Sequence, residues 1–203
     1  MTRDRSALRP VHLPVLHRLV LTSSGCRDER TAFCPNEGRS VDLARCAHCL
    51  WASHVDENRV ECFPGEPPED LSREPSNRSG ARVRVGAIVG TKQIAVRAEV
   101  TIRELRRLLA EDSANTVLVV DHEDRLLGTI DAPSLEHAPG AAPTILRMRA
   151  KHSIVETASV AEAVDYLVHS HSRSVAVVDE NGHAVGVLTD IELLRWFARH
   201  DDD

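Results

Sequence analysis

The sequence predicts an α/β fold: a sandwich of two copies of one supersecondary unit, preceded by a small cysteine-rich segment. Three observations carry that prediction. First, Val117-Leu118-Val119-Val120-Asp121 returns as Val175-Ala176-Val177-Val178-Asp179. Second, seven residues after each Asp stands a glycine, Gly128 and Gly186, so 179 − 121 and 186 − 128 both give an offset of 58. Third, the same offset carries Ile102 onto Val160, Glu104 onto Glu162, Leu109 onto Leu167 and Leu135 onto Leu193. A unit this small cannot bury its apolar face alone, so the two copies are expected to pack together and leave a cleft between them.

Each element has its own justification. Ile94-Ala95-Val96 is a short β-run. Thr101 then serves as an N-cap with Glu104 three residues on, the spacing of a capping box. Ile102, Leu105, Leu108 and Leu109 follow at helical spacing and give one apolar face. Residues 116–120 are a buried-type strand, 121–125 a turn and 126–130 the returning strand. In the second copy Ser159 caps with Glu162, and Val160, Ala163, Val164 and Leu167 form the stripe. Residues 174–178 are the strand, Asn181-Gly182 the hairpin turn and 184–188 its partner. Thr189-Asp190 opens a last helix through Ile191, Leu194, Trp196 and Phe197. Each unit therefore reads strand, helix, strand, hairpin, strand, helix.

The 203 residues suit one ordinary domain and a small one. Composition sets the expected boundaries: residues 1–25 an N-terminal tail, 26–62 a cysteine-rich module, 63–81 a flexible linker, 82–140 the first repeat and 141–203 the second. The linker assignment rests on Pro64-Gly65-Glu66-Pro67-Pro68 and the polar stretch after it, which have little to bury. A net charge of −6 argues against general attraction to nucleic acid or an anionic membrane. No apolar run is long enough for a transmembrane helix. Arg3, Arg5 and Arg9 ahead of the apolar residues 11–21 imitate a secretory signal, but His12, Pro14, His17 and Arg18 interrupt its core. The expected location is cytoplasmic, where cysteines are reduced thiols or metal ligands.

The run from Val177-Val178-Asp179 through Asn181-Gly182 to Gly186-Val187-Leu188-Thr189-Asp190-Ile191-Glu192 closely resembles the signature of a tandem CBS-domain pair, named for cystathionine β-synthase. The resemblance covers residues 82–203. It implies a compact disc of two units, a homodimer, and an adenosyl ligand such as AMP, ATP or S-adenosylmethionine in the cleft between the repeats. Residue chemistry points the same way. Gly186 allows close approach of a ligand or of a neighbouring turn. Thr189 and the free N–H groups of the helix behind it, Asp190 first, offer donors to a phosphate. Glu192 stands one turn on, where a carboxylate accepts ribose hydroxyls. The resemblance puts Ser172, Arg173 and Ser174 along the cleft, with Arg173 able to pair with a phosphate. The alternative for these residues is plain scaffolding: Thr189 an N-cap, Glu192 a helix residue and Arg173 a surface charge. The first repeat departs from the pattern, with Asp131 where Thr belongs and Ser134 where the carboxylate belongs. At most one competent site is expected, built mainly from the second repeat.

All five cysteines lie in the first third of the chain. Cys46-Ala47-His48-Cys49 is a CxxC, with Cys34 before it and Cys62 after, and four thiolates complete a tetrahedral site. The arrangement resembles a short module found ahead of CBS pairs in some bacterial proteins. Cys34, Cys46, Cys49 and Cys62 are the expected ligands, leaving Cys26 over. Structural zinc is the first choice, which would also stabilise a module too short to fold on an apolar core. An iron–sulfur cluster is the less favoured cofactor, and free or redox-labile thiols are the remaining alternative. His48 and His54 are weaker ligand candidates. His169, His171 and His183 are expected at the surface, and Trp51 and Trp196 in a core or contact.

Two functions follow. The first is a non-enzymatic regulatory sensor that binds an adenosyl ligand in the cleft of the pair. The second is a metal- or redox-responsive interaction protein whose degenerate repeats act as a dimerisation scaffold for a protein partner. No nucleophile–base pair, P-loop or dinucleotide fingerprint supports an enzyme. Acidic residues offset the arginines around the cysteines, so no basic stripe for nucleic acid exists.

Overall fold

The structure is a computed structural model that describes residues 10–64, 83–111, 114–150 and 152–200. Most of the expected linker, residues 65–81, lies outside the described residues, as do residues 1–9 of the expected tail.

The rest of that tail is a strand, which corrects the expectation. β1 (Val11–Thr22) hairpins into β2 (Gly25–Cys34), with Gly25 at a positive φ of 145° in the turn. β3 (Arg39–Asp42) returns against β2, and the Gly38 N–H closes the turn on the Cys34 carbonyl at 2.8 Å. A short α1 (Leu43–Ala47) starts on the Asp42 carboxylate, which accepts from the Ala44 N–H. β4 (Ala52–Val55) and β5 (Arg59–Cys62) form a hairpin whose Asp56 carboxylate accepts from the Asn58 and Arg59 N–H groups. β5 pairs with residues 11–14 of β1 and β2 with residues 15–22. Pro14, which has no N–H to offer, stands where the pairing changes hands.

The repeats follow the expected order with one exception. In the first, β6 (Lys92–Arg97), α2 (Ile102–Glu111), β7 (Thr116–Val120) and β8 (Leu126–Asp131) are followed by short 3-10 turns at Ala132–Leu135 and Thr144–Arg147, where the sequence predicts a helix. Pro133, Pro139, Gly140 and Pro143 explain the difference, because they remove donors and interrupt any longer helix. A two-residue β9 (Arg149–Ala150) leads into β10 (Ser153–Val155), α3 (Val160–Ser170), β11 (Ser174–Val178), β12 (Ala184–Thr189) and α4 (Asp190–His200). Both capping boxes form, Thr101 with Glu104 and Ser159 with Glu162. The antiparallel ladders shift register at Val119/Val120 and again at Val177/Val178, the same bulge 58 residues apart. The two hairpin tips pair with each other at Arg125 and His183, which marks a pseudo-twofold axis between the repeats.

β1 adds to the edge of the first repeat, parallel to β6 with His17 opposite Lys92 and Leu21 opposite Val96. The larger sheet runs β3-β2-β1-β6-β7-β8-β9, with β4 and β5 off its path, and the second sheet is β10-β11-β12. β1 also threads the cores together. Leu13 and Val15 belong to the core of the cysteine-rich head, Leu16 to that of the second repeat, and Val20 to the cluster between the repeats. Among the described residues no helix is long and apolar enough to cross a membrane.

Candidate functional site

β8 of the first repeat and β11 of the second face each other across a cleft of about 300 Å³. Thr129 and Asp131 come from β8 and Arg149 from β9, and His152, Tyr166, Ser172, Ser174 and Ala176 supply the other wall. α3 ends on His171 in the left-handed region, φ 49°, and this bend turns residues 172–174 toward the cleft. Ser172 Oγ donates to the Ser174 carbonyl at 2.8 Å and fixes that turn. Tyr166 Oη lies 3.1 Å from His152 Nδ1. The cleft thus offers hydroxyls, an imidazole and one ion pair, Arg149 to Asp131 at 2.9 Å. That pair changes the picture of Asp131 drawn from sequence. A guanidinium offsets its charge, and the same guanidinium is exposed enough to turn toward an anion.

Of the seven residues expected at the ligand, Ser172 and Ser174 line this cleft and the other five stand elsewhere. Gly186 sits in β12 with its open side against a neighbouring segment. A Cβ there would stand 2.5 Å from Val89 Cγ1 and 3.1 Å from Gln93 Cδ. Gln93 bridges that edge, its Oε1 accepting from the Val187 N–H at 2.9 Å. Thr189 and Glu192 form a third capping box. The Thr189 N–H and Oγ–H donate to Glu192 Oε2 at 2.7 and 2.8 Å, and the Glu192 N–H returns to Thr189 Oγ at 3.4 Å. Burial pushes the Glu192 carboxyl above its usual range, against the pull of those Thr189 donors. Arg173 is 90% exposed and pairs with Asp190 at 3.2 Å. Sequence reasoning missed Thr129, Arg149, His152 and Tyr166. Tyr166 carried a signal, as the sole tyrosine of the chain and a polar-tipped ring inside an apolar stripe.

The offset of 58 also locates the mate of this cleft. Thr91, Ile94 and Ala114 are the counterparts of Arg149, His152 and Ser172, and they line a cavity of about 670 Å³. Its other walls belong to the head: Val15, His17 and Leu19 of β1, with Asp28 and Asn58. One cleft is therefore formed by the repeats alone, and its mate is built jointly with the head.

The second repeat, residues 147–199, matches the family model of the CBS domain. A CBS domain protein of Pyrobaculum aerophilum, solved in complex with AMP, superposes with a TM-score of 0.51 at 18% identity, covering 58% of this chain and 99% of that one. A CBS domain pair/ACT domain protein of Thermotoga maritima gives 0.51 at 17%, covering 58% and 98%. The cytosolic domain of the Mg2+ channel MgtE, solved with ATP, gives 0.53 at 23%, and the 63% of this chain that aligns spans 52% of that one, about half its length. An uncharacterized 17.7 kDa protein of Acidianus ambivalens is 24% identical over 117 residues, 55% of this chain and 71% of the relative. At these identities the structural likeness is one of fold, that of CBS pairs.

Beside the repeats, the head gathers four cysteines. Cys46 and Cys62 are buried in its core, Cys34 packs against that core, and Cys49 lies in the turn after α1. Cys26 stands at the opposite end of β2 from Cys34. Among the described residues no group of three or more His, Cys, Asp or Glu stands in an arrangement that could hold a metal ion, so a metal-bearing module is not shown. His169 Nδ1 lies 2.7 Å from the Asp165 carbonyl and His183 Nδ1 2.8 Å from Asp179 Oδ2, local contacts outside the cleft. Trp196 is buried in the core of the second CBS repeat, edge-to-face on Phe197.

Proposed function

We propose that this chain is a non-enzymatic regulatory module whose CBS pair binds an adenosyl ligand, an adenine nucleotide or S-adenosylmethionine, in the cleft between β8 and β11. The observation that carries the proposal is the cleft itself, walled by both repeats and furnished with Ser172, Ser174, Tyr166 and Arg149. Its volume falls at the small end of ligand pockets, and it is partly open to solvent. Ser172 and Ser174 suit the ribose hydroxyls, and Arg149 suits a phosphate once it leaves Asp131. That CBS proteins of the same fold have been solved with AMP and with ATP supports the ligand class. A ligand touching both repeats favours one packing of the pair over others, which is how binding becomes a signal.

Calorimetry of the full chain with AMP, ADP, ATP and S-adenosylmethionine tests the proposal. At least one ligand is expected to give heat, and Ser172→Trp, at an exposed position, is expected to weaken it about tenfold or more, or 1.4 kcal/mol. Absence of heat with all four, from protein shown to be folded, sinks this reading. The repeats would then be a scaffold, and subunit number by native mass spectrometry would be the measurement that matters.

A further inference from the structure

Fold and topology bring the cysteines of the head together from four separate places. Cys34 closes β2, Cys46 lies on α1, Cys49 follows it in a turn, and Cys62 ends β5. Cys46 and Cys62 share one buried cluster with Leu13, Val15, Ala32, Val41 and Val60, and Cys34 packs on it. Cys49 is tied to the same corner by backbone. Its N–H donates to the Cys46 carbonyl at 3.1 Å, and its own carbonyl accepts from the Ala52 N–H, whose residue stands opposite Cys62 in the β4–β5 ladder. Cys26 is excluded by distance, since it is eight strand residues from Cys34, about 26 Å at ~3.3 Å per residue.

We propose that Cys34, Cys46, Cys49 and Cys62 are the ligands of a thiophilic divalent cation, zinc by chemical class, that fastens the head together. Gathering four thiols in one small corner is costly for thiolates on their own and is relieved when a dication is shared among them. No ligand set is closed as the side chains stand. Binding therefore requires the thiols to swing about χ1 to sulfur separations of about 3.8 Å, the edge of a tetrahedron with Zn–S near 2.3 Å. In that step four S–H bonds break, four metal–sulfur bonds form, four protons pass to solvent, and nothing is oxidised. A head core of mostly Val and Ala with few aromatics gives the ion a structural role.

The test uses the full chain, reduced, stripped with a chelator and titrated with Zn2+ alone, read by native mass spectrometry and by competition with a chromophoric chelator. One ion per chain is expected, with Cys26→Ser unchanged. Serine at any of the other four is expected to lower affinity by more than the roughly 100-fold that losing an outer-shell partner costs. Titration with Co2+ gives a second readout on the unaltered protein, whose thiolate charge-transfer bands report sulfur ligation even if serine variants fold poorly. Each of three results overturns the proposal: no ion taken up by protein with all thiols reduced, disulfides among the four in protein prepared without air, or Co2+ spectra lacking thiolate bands. Failure of nucleotide binding would leave this site unaffected, so the two proposals stand or fall apart.

Discussion

Glu156 follows β10 in the second CBS repeat and is 1% exposed, yet its carboxylate accepts from the Ser40 N–H of β3 at 2.9 Å, so head and repeat share it. Burial pushes its carboxyl above the ordinary value near 4.5, and the Ser40 donor opposes the shift without cancelling it. The folded state therefore holds this proton more tightly than the unfolded chain does. The stability it contributes is complete below about pH 4.5 and is lost as the pH climbs through the raised value. Glu156→Gln, which needs no proton to be neutral, should unfold at a progressively higher temperature than the parent as the pH rises from 4.5 to 8. Thermal melts of both proteins across that range check it, and parallel curves would count against the shift. At the same scale, Thr189-Asp190-Ile191-Glu192 has the Thr/Ser-x-x-Glu spacing of the caps at Thr101 and Ser159, and its hydrogen bonds are those of the N-cap alternative that the sequence offers for Thr189. Glu192→Ala should cost about 1 kcal/mol by denaturant melts, and it should leave ligand affinity within about twofold, less than 0.5 kcal/mol.

At the scale of elements, the duplication made most of the repeat pair legible, because strand, cap, helix and hairpin signals each occur twice and check one another. The glycines were legible as close approaches, though not what approaches them. A Cβ on Gly128 would stand 2.2 Å from the Arg149 carbonyl and 2.5 Å from Met148 Cγ. Gly128→Ala must therefore move backbone of β9, and it is expected to cost about 1–3 kcal/mol while disturbing Arg149 in the cleft. Denaturant melts and ligand titration of that variant should both change, and a change in neither would remove β9 from the site. β1 was not legible at all. Its residues 11–22 lack clean alternation because one strand serves four surroundings in turn, and three of its partners, β5, β6 and the core of the second repeat, are far away in sequence. A local pattern holds no record of such partners, and His17 and Arg18 argue from sequence only against a secretory signal. In the structure His17 Nε2 donates to the Glu57 carbonyl, 2.7 Å away, and Arg18 pairs with Glu29. Both belong to a strand with one polar edge.

The molecule as a whole depends on how firmly the head is joined to the repeat pair, since a ligand of the proposed kind in the cleft would reach the cysteine corner only through that joint. Leu16 of β1 is buried with Val160 and Leu188 of the second repeat and with Val85, which precedes β6. Phe33 lies over Gly86, where a Cβ would meet its ring at 2.4 Å. Arg27 of β2 and the buried Arg97 of β6 converge on Asp124 at 3.0 and 2.9 Å. Apolar core, aromatic contact and a partly buried charge cluster thus all cross the boundary, which is more than a tethered domain requires. The expected consequence is cooperativity: head and pair should unfold in one transition, with calorimetric and van't Hoff enthalpies equal. Leu16→Ala should lower the stability of that single transition by about 2–5 kcal/mol, the range for a buried leucine. A saturating ligand should raise the same transition as a unit by RT ln(1 + [L]/Kd). Scanning calorimetry of the parent and Leu16→Ala proteins decides the matter. Two separated peaks, of which Leu16→Ala moves one alone, would mean that the head melts on its own and that no signal from the cleft is carried to it by the fold.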